Sequence, residues 1–381
     1  MAGIPVMLAT ADPESPALVS RYCHGYVALP GSPSDPRYLE TVLGAGRVLS
    51  ERAGCRIPLY FGADDELWFV TRNEQELSRY YAMLLNRKEL ALDLLDCERF
   101  MRMAPALGLP VPRNYSWDGN GAPAVSEAPG AVIAKPLSKE HWTSSPVYCQ
   151  LFQQRGKALV FNSAREMIAN PLVQELHPLL MFQDYIPGDD KQIYSFHGYT
   201  DESSHLLAYF VGRKIRTYPI QTGESSYLEL VTGSSEFENT AREVIDRTGL
   251  RGVFKMDFKQ DPVTGRFYLL EINTRYNLWH QLGAANGVNL PLVAYQYLVD
   301  ADHSVRAPIV RPRYRWLNFS LDYRAFRDAY RRQDMSLFAW ARSLLGSRKV
   351  YRLFSYSDPL PFLNRFLPKV FSRRPSWRFT G

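Results

Sequence analysis

Cysteine is scarce in this chain: four residues, Cys23, Cys55, Cys97 and Cys149, stand dispersed among 381. None forms a CxxC pair or sits at zinc-ligand spacing, which argues against a disulfide framework or zinc module and for a reduced, cytosolic protein. The first hundred residues lack a G-x-G-x-x-G fingerprint, so no dinucleotide is expected there. No internal repeat or low-complexity segment is present. A long stretch, Tyr276 to Val299, has no Asp, Glu, Lys or Arg, yet it carries Asn277, His280, Gln281, Asn286, Asn289, Pro291 and Gln296. That composition excludes a membrane span and predicts a polar loop followed by a helix, LPLVAYQYLVD. The N-terminus, MAGIPVMLATADPE, lacks a basic n-region and its apolar run is broken at Pro5. It is expected to be a first buried strand, not a signal peptide.

Acidic residues are missing from one end. From Arg306 to Gly381 there are 17 Lys and Arg against 4 Asp and Glu, a local balance of +13. The net charge of +6 therefore leaves −7 for residues 1–305. An acidic body carries a basic tail rich in Phe, Tyr and Trp. The stretches RPRYRWLNFSLDYRAFRDAYRRQ and SLFAWARSLLGSRKVYRLF predict amphipathic helices. They either pack on the acidic body or lie on an anionic membrane surface. The same electrostatics suit nucleic acid, but no recognisable module for it is present.

The length allows two or three structural units. Over residues 1–104, strand-like pieces (IPVMLAT, YVALPGS) alternate with helix-like ones (YLETVLGAGRVLSERAG, ELALDLLD), predicting a small α/β domain with a parallel sheet. CERFMRMAPALGLPVPRNYSW reads as a helix, a GLPVP stop and a new strand. Residues 105–305 are strand-heavy and predict an α+β unit with antiparallel sheets. Residues 306–381 form the basic C-terminal segment.

Most of the chemistry gathers in 252–275, GVFKMDFKQDPVTGRFYLLEINTR. FKMDFKQ and RFYLLEIN are rich in β-formers, and DPVTG between them supplies a turn, so a hairpin is expected. Pairing about Thr264 sets Asp257 opposite Glu271 and Lys255 opposite Asn273. Phe254, Met256, Phe258, Tyr268, Leu270 and Ile272 then form the apolar face. Two carboxylates directly across a ladder repel, and a divalent cation reverses that sign. Oxygen ligands of this kind suit Mg²⁺ beside nucleotide phosphates. The plainer reading is a solvated face, with Lys255 and Lys259 as neutralising neighbours.

Four further elements accompany the hairpin. Lys135 in VIAKP ends an apolar strand and suits a phosphate as a point charge, or snorkels at a sheet edge. MFQDYIPGDD (181–190) runs from a strand into Pro-Gly and two aspartates, a backbone fit for a purine edge with Asp189 or Asp190 toward ribose, or an ordinary turn. In GRKIRTYP (212–219), Lys214 and Arg216 sit two apart and are expected on one strand face, suited to a triphosphate or carboxylate. Arg275 follows Asn273 by two residues, within reach of a transferring phosphoryl group.

The order of these elements, ending in EINTR, resembles the ATP-grasp superfamily, and within it the carboxylate–amine ligases. The likeness covers roughly residues 1–300. It implies an α/β domain followed by a two-subdomain ATP-grasp fold that clamps ATP. It also implies Asp257, Glu271 and Asn273 as Mg²⁺ ligands, Lys135 on phosphate, Gln183, Asp184, Tyr185 and Ile186 as the adenine hinge, and Asp190 or Asp189 on ribose. Arg216 and Arg275, with Lys214, would face the transferred phosphoryl and acyl groups. Two departures stand out. Cys97, in LLDCERF, occupies a position where a phosphate-contacting lysine is usual, with Arg99 as a substitute. PLSKEHWTSSP after Lys135 lacks the glycine-rich loop, leaving Lys139, His141, Ser144 and Ser145 in its place.

The activity this implies is ATP-dependent amide formation: a small-molecule carboxylate attacks the γ-phosphate, and an amine displaces phosphate from the acyl phosphate. A nucleotide-binding sensor or scaffold without ligase activity, and a kinase stopping at a phosphorylated product, remain open. The expected location is the cytoplasm, with peripheral contact at the inner membrane face. The sequence names neither substrate nor oligomeric state.

Overall fold

A computed structural model of the chain describes residues 3–117, 124–137, 146–151, 158–220, 223–300, 310–366 and 377–380. Lys139, His141, Ser144 and Ser145 lie outside the described residues.

The alternating pattern of the first hundred residues builds an α/β unit. Strands β1 (Val6–Thr10) and β2 (Cys23–Ala28) pair in parallel, as do the short β3 (Ile57–Pro58) and β4 (Tyr81–Ala82). Between them runs the helix Pro36–Ala53. Asp35 caps its start by accepting from the Arg37 N–H, Pro36 occupies the first turn, and Gly54 closes it at a φ of 66°. The first strand is present but not buried: β1 is an edge strand and Val6 is 51% exposed.

The middle region forms two antiparallel sheets. Strands β5 (Asn114–Tyr115), β6 (Val132–Pro136), β7 (Leu159–Phe161) and β8 (Leu180–Asp184) stand in the order β5-β8-β6-β7. Tyr115, Val132, Ala134 and Phe182 pack with Met167 and Val173 as the core of this unit. Side chains alternate along β6, so Ile133 and Lys135 lie on the other face.

The larger sheet contains β9 (Ile193–Thr200), β10 (Leu206–Tyr218), β11 (Glu224–Val231), β12 (Gly252–Gln260) and β13 (Phe267–Asn273). Two strands from the tail, β14 (Tyr314–Leu317) and β15 (Arg348–Tyr351), complete the order β13-β12-β9-β10-β11-β14-β15. One face carries Phe196, Val211, Phe254, Met256, Phe258 and Ile272 against Phe237, Ala241, Val244 and Ile245 of the helix Ser235–Thr248. The helices Trp279–Ala285 and Leu290–Val299 cover part of the other face, packing on Phe210, Leu228 and Leu230. The rest of that face, over β12 and β13, holds the polar residues of interest.

The hairpin pairs Asp257 with Glu271 and Lys255 with Asn273. Beyond Asp257 a bulge shifts the register, so Phe258 faces Leu269 and Lys259 faces Tyr268. The slip exchanges the two faces of β13. Phe267 and Leu269 are therefore in the core, while Tyr268 and Leu270 are only half-buried, contrary to the expected apolar face.

The basic tail is woven into the body. A last strand, β16 (Trp377–Thr380), joins β2 in parallel. Asp358 accepts from the Ser20 hydroxyl at 2.5 Å and the Arg21 N–H at 3.2 Å. The tail thus contributes to both the first sheet and the largest one.

Candidate active site

Cross-strand pairing sets one row of residues on the open face of the large sheet: Glu271, Asp257, Ser195 and Gly212, from β13, β12, β9 and β10. A parallel row beside it holds Asn273, Lys255, His197 and Phe210. Antiparallel register alone brings these residues together from positions up to 78 apart in sequence. Gly212 is required in its row because a Cβ there would overlap the Trp279 ring, which packs over it.

Asp257 is the buried centre of the site. Its carboxylate accepts from the Ser195 hydroxyl and from the Lys255 ammonium, the latter at 2.6 Å. Burial pushes its carboxyl up, but the Lys255 and Lys214 charges outweigh burial and hold it well below the usual carboxylate range. Lys255 also lies 3.6 Å from Glu271, which is mostly exposed, and its ammonium stands 6.0 Å from the Trp279 ring centroid. Burial disfavours the Lys255 charge, while Asp257 and Glu271 more than restore it. The repulsive carboxylate pair is thus bridged by an ammonium in the protein itself. Two carboxylates and a carboxamide on one face, already holding a cation between them, are a donor set that fits Mg²⁺. Among the described residues no group of three or more His, Cys, Asp or Glu is arranged to hold a metal ion. This site has only two such residues, with Asn273 as the third donor.

The same face continues into an aromatic cluster under the helix Trp279–Ala285. The His197 ring stacks on Phe210 with centroids 4.6 Å apart and meets His280 edge-on at 5.6 Å. Burial, then His280 and Lys255, push His197 well below its ordinary value. Burial, then Lys255, takes His280 to about 3. Both imidazoles are neutral at physiological pH.

The smaller sheet supplies a second group. The Lys135 ammonium donates to Gln183 Oε1 at 3.0 Å, and Gln183 Nε2 donates to Asn114 Oδ1 at 2.6 Å. Burial lowers the Lys135 pKa, with Glu271 and Cys97 pulling it back up. Lys135 thus feels both sheets. Cys97 begins the helix Cys97–Ala106, whose cap is the Asp96 carboxylate. Arg99 on that helix donates to Asp93 at 2.7 Å. Along the hinge, the Asp184 N–H donates to the Arg113 carbonyl at 3.0 Å and the Tyr185 N–H to the Ala131 carbonyl at 2.9 Å. Tyr115 donates to the Asp184 carboxylate at 2.7 Å, and Ile186 is buried.

Lys259 reaches this hinge from β12, its ammonium 4.6 Å from the Tyr185 ring centroid. Burial pushes its pKa down to about 8, against the pull of Asp190 and with help from Lys135. Only the plainer, solvated-face alternative gives Lys255 and Lys259 a part, as neutralising neighbours. The structure places both inside the site. Ser195 was missed altogether, and no motif in QIYSFHGYT marks it.

Four expected residues, Arg216, Asp190, Asp189 and Arg275, are engaged by partners within the protein. A bulge in β10 at Ile215 breaks the alternation, pairing Lys214 with Leu228 but Arg216 with Tyr227, so the two cations leave opposite faces. Lys214 stays on the open face and its charge acts on Asp257. Arg216 turns away to grip Asp322 of the tail bidentately, at 2.8 and 2.9 Å. Asp190 is also committed: its carboxylate accepts from the Thr217 N–H at 2.7 Å and the Thr217 hydroxyl at 2.9 Å. Asp189 caps the one-turn helix Asp190–Gln192 through the Lys191 N–H at 2.8 Å. Arg275 remains near Lys255, but its guanidinium is paired with Asp64 at the start of the helix Asp64–Arg72.

No family model matches the chain. A D-aspartate ligase of Enterococcus faecium is 25% identical over 275 residues, which is 69% of this chain and 63% of that protein. The chain therefore spans less than two thirds of that relative's length. Among solved structures, N5-carboxyaminoimidazole synthetase from Staphylococcus aureus in complex with ADP superposes with a TM-score of 0.57 at 11% identity, covering 81% of this chain and 74% of that one. A biotin carboxylase–β,γ-ATP complex from Campylobacter jejuni gives 0.55 at 14%, covering 81% and 68%. An L-amino acid ligase from Bacillus licheniformis gives 0.51 at 11%, covering 77% and 68%. At these identities the likeness is one of fold.

Proposed function

We propose that this chain, which has the ATP-grasp fold, is an ATP- and Mg²⁺-dependent ligase joining a small-molecule carboxylate to an amine through an acyl phosphate. The observation that carries this reading is the single open face uniting Asp257, Glu271 and Asn273 with Lys255, Lys214 and, from the facing sheet, Lys135.

In this reading Asp257, Glu271 and Asn273 would hold Mg²⁺, which when bound neutralises phosphate oxygens. Ser195 fixes the rotamer of Asp257. Lys135, oriented by Gln183 and Asn114, and Lys259, stacked on Tyr185, face the phosphate chain. The backbone from Asp184 to Ile186 reads the adenine edge, and Asp189, whose carboxylate accepts one backbone N–H from Lys191, would hold ribose, since Asp190 is taken up by Thr217. Lys214, Lys255 and Arg275 offer positive charge to the transferred phosphoryl group and the developing oxyanion. Arg216 is removed from this set. No nucleophilic side chain is needed, since the substrate carboxylate itself attacks and positioning supplies much of the rate.

The D-aspartate ligase relative makes amino acids the first substrates to screen. Turnover is read as carboxylate-dependent ADP release in the wild type and in Glu271→Gln. The expected result is loss of turnover with an unchanged urea midpoint; a variant that still turns over sinks the assignment. A second reading, a nucleotide sensor, rests on Cys97, which acts on the charge of Lys135 and stands where the ATP-grasp resemblance implies a lysine. Tight Mg·ATP binding with no ADP release from any acceptor would favour it.

No helix among the described residues is long and apolar enough to cross a membrane. The location proposed is the cytoplasm, with peripheral contact at the inner membrane face. The proposed division is residues 1–104 as an α/β domain preceding the clamp, 105–305 as the ATP-grasp domain and 306–381 as the basic, aromatic-rich C-terminal segment.

A further inference from the structure

The tail exposes apolar surface as well as charge. Fifteen large hydrophobic residues are exposed among the described residues, and eight of them fall between Phe319 and Tyr356. Phe338 is 74% exposed and Leu345 70%. The helix Leu337–Leu344 has no buried residue, although it carries Leu, Phe, Trp and Leu. It is held through Trp340, which stacks on Phe326 at 4.6 Å and approaches Phe319 and Tyr323 at 6.1 Å. Phe326 belongs to the buried side of the helix Phe319–Arg331, and Phe319, Tyr323 and Tyr330 to its exposed side. The two helices therefore present one continuous aromatic and aliphatic surface. A soluble protein seldom leaves such a patch uncovered without a partner.

The charges around it identify the partner. Arg324, Arg327, Arg331, Arg332 and Arg342 are all exposed on or beside these helices. Outside the core, residues 319–345 set only Asp328 and Asp334 against them. A second copy of this chain would bring two arginine clusters together across the interface, which is unfavourable. Nucleic acid would satisfy the arginines but leave Leu337, Phe338 and Leu345 in water. Apolar side chains ringed by arginine match a bilayer with anionic headgroups. One residue past Leu345, a cavity of about 640 Å³ opens, lined by Arg313, Arg315 and Arg348 together with Glu229, which pairs with Arg315 at 2.7 Å. With Arg315 engaged by Glu229, Arg313 and Arg348 keep the lining net basic, which suits a phosphate headgroup at the edge of the patch.

We infer that the exposed face of helices Phe319–Arg331 and Leu337–Leu344 docks the protein on an anionic lipid bilayer. The inference gives residues to the peripheral contact proposed above and is independent of the ligase chemistry. Truncating the tail cannot test it, because β14, β15 and β16 belong to the folded sheets.

The test is co-sedimentation of the full chain with vesicles of phosphatidylcholine alone and of phosphatidylcholine mixed with phosphatidylglycerol. The wild type is expected to sediment with the mixed vesicles only. Phe338→Ser with Leu345→Ser should weaken partitioning by at least about tenfold. Arg324→Gln with Arg331→Gln should weaken it by on the order of twentyfold at low salt, a difference that shrinks as salt rises. Both doubles should release ADP like the wild type in the absence of vesicles, so failure of the membrane contact and failure of the ligase reading are separately visible. Equal partitioning of wild type and variants, or no partitioning at all, overturns the inference. So does a wild-type dimer in sedimentation velocity that the Phe338/Leu345 variant abolishes, or a wild type that binds RNA in preference to anionic vesicles.

Discussion

Replacing Asp322 tests whether Arg216 holds the fold or serves the reaction. Asp322 is fully buried, and four hydrogen bonds converge on it: two from Arg216, one from the Ser226 hydroxyl at 3.1 Å and one from the Trp340 indole at 2.8 Å. Asp322→Ala strands a guanidinium and an indole N–H together, while the Ser226 hydroxyl keeps the Arg216 carbonyl as acceptor at 3.1 Å. Breaking a buried pair from one side costs about 3–5 kcal/mol, and the stranded indole pushes this case toward the upper end. Arg216→Met leaves Asp322 with two neutral donors and should cost about 3 kcal/mol. Removing both, as Arg216→Met with Asp322→Leu, leaves no buried charge and should cost less than Asp322→Ala alone. Urea unfolding followed by far-UV circular dichroism reads all three variants, and ADP release is measured on those that remain folded. Folded Arg216→Met should keep its turnover. A variant of undiminished stability that has lost turnover would return Arg216 to the reaction, and fully additive costs in the double would refute the paired-charge account.

Lys259 predicts a pH dependence. With burial lowering its pKa to about 8 from the ordinary 10.5, the unfolded chain holds a proton across that window that the folded chain has lost, so stability rises with pH there. Lys259→Met should remove that rise in urea titrations run at successive pH values; an unchanged slope contradicts the buried placement. If phosphate arrives beside Lys259, its pKa recovers. Titration of Mg·ATP at pH 9 in buffers of different ionisation enthalpy should then show uptake of close to one proton, and none if the nucleotide lies elsewhere. Ser195→Ala should cost about 1–3 kcal/mol of stability by removing a buried donor to a carboxylate. It should also raise the Mg²⁺ concentration needed for half-maximal ADP release. A stability loss with no change in Mg²⁺ dependence would make Ser195 structural only.

Local pattern made much of this molecule readable. The hairpin register follows from β-formers flanking DPVTG, and it delivers the Asp257–Glu271 pair directly. The helix Pro36–Ala53 is written in Asp35, Pro36 and Gly54. Bulges were not readable, because nothing in RFYLLEIN or GRKIRTYP announces one extra residue. Each bulge inverts every side chain beyond it, which is why Tyr268 and Leu270 left the core and Arg216 left the site. Partners distant in sequence were equally hidden. Arg216 meets Asp322 106 residues away, Arg275 meets Asp64 211 residues away, and β16 returns to the first sheet. Sequence offers Lys255 and Lys259 only as neutralisers of a solvated face, because the burial that shifts both is a tertiary property. Composition did foretell the mixed character of the tail, but not that its strands complete the largest sheet.

The most direct test of the central claim traps the acyl phosphate. Hydroxylamine stands in for the amine, and the enzyme is offered Mg·ATP with a panel of amino acids and other small carboxylates. The account predicts hydroxamate from at least one carboxylate, formed one-to-one with ADP, dependent on Mg²⁺, and lost in Glu271→Gln. ADP and free phosphate appearing without hydroxamate across the panel, or hydroxamate undiminished in Glu271→Gln, would contradict it.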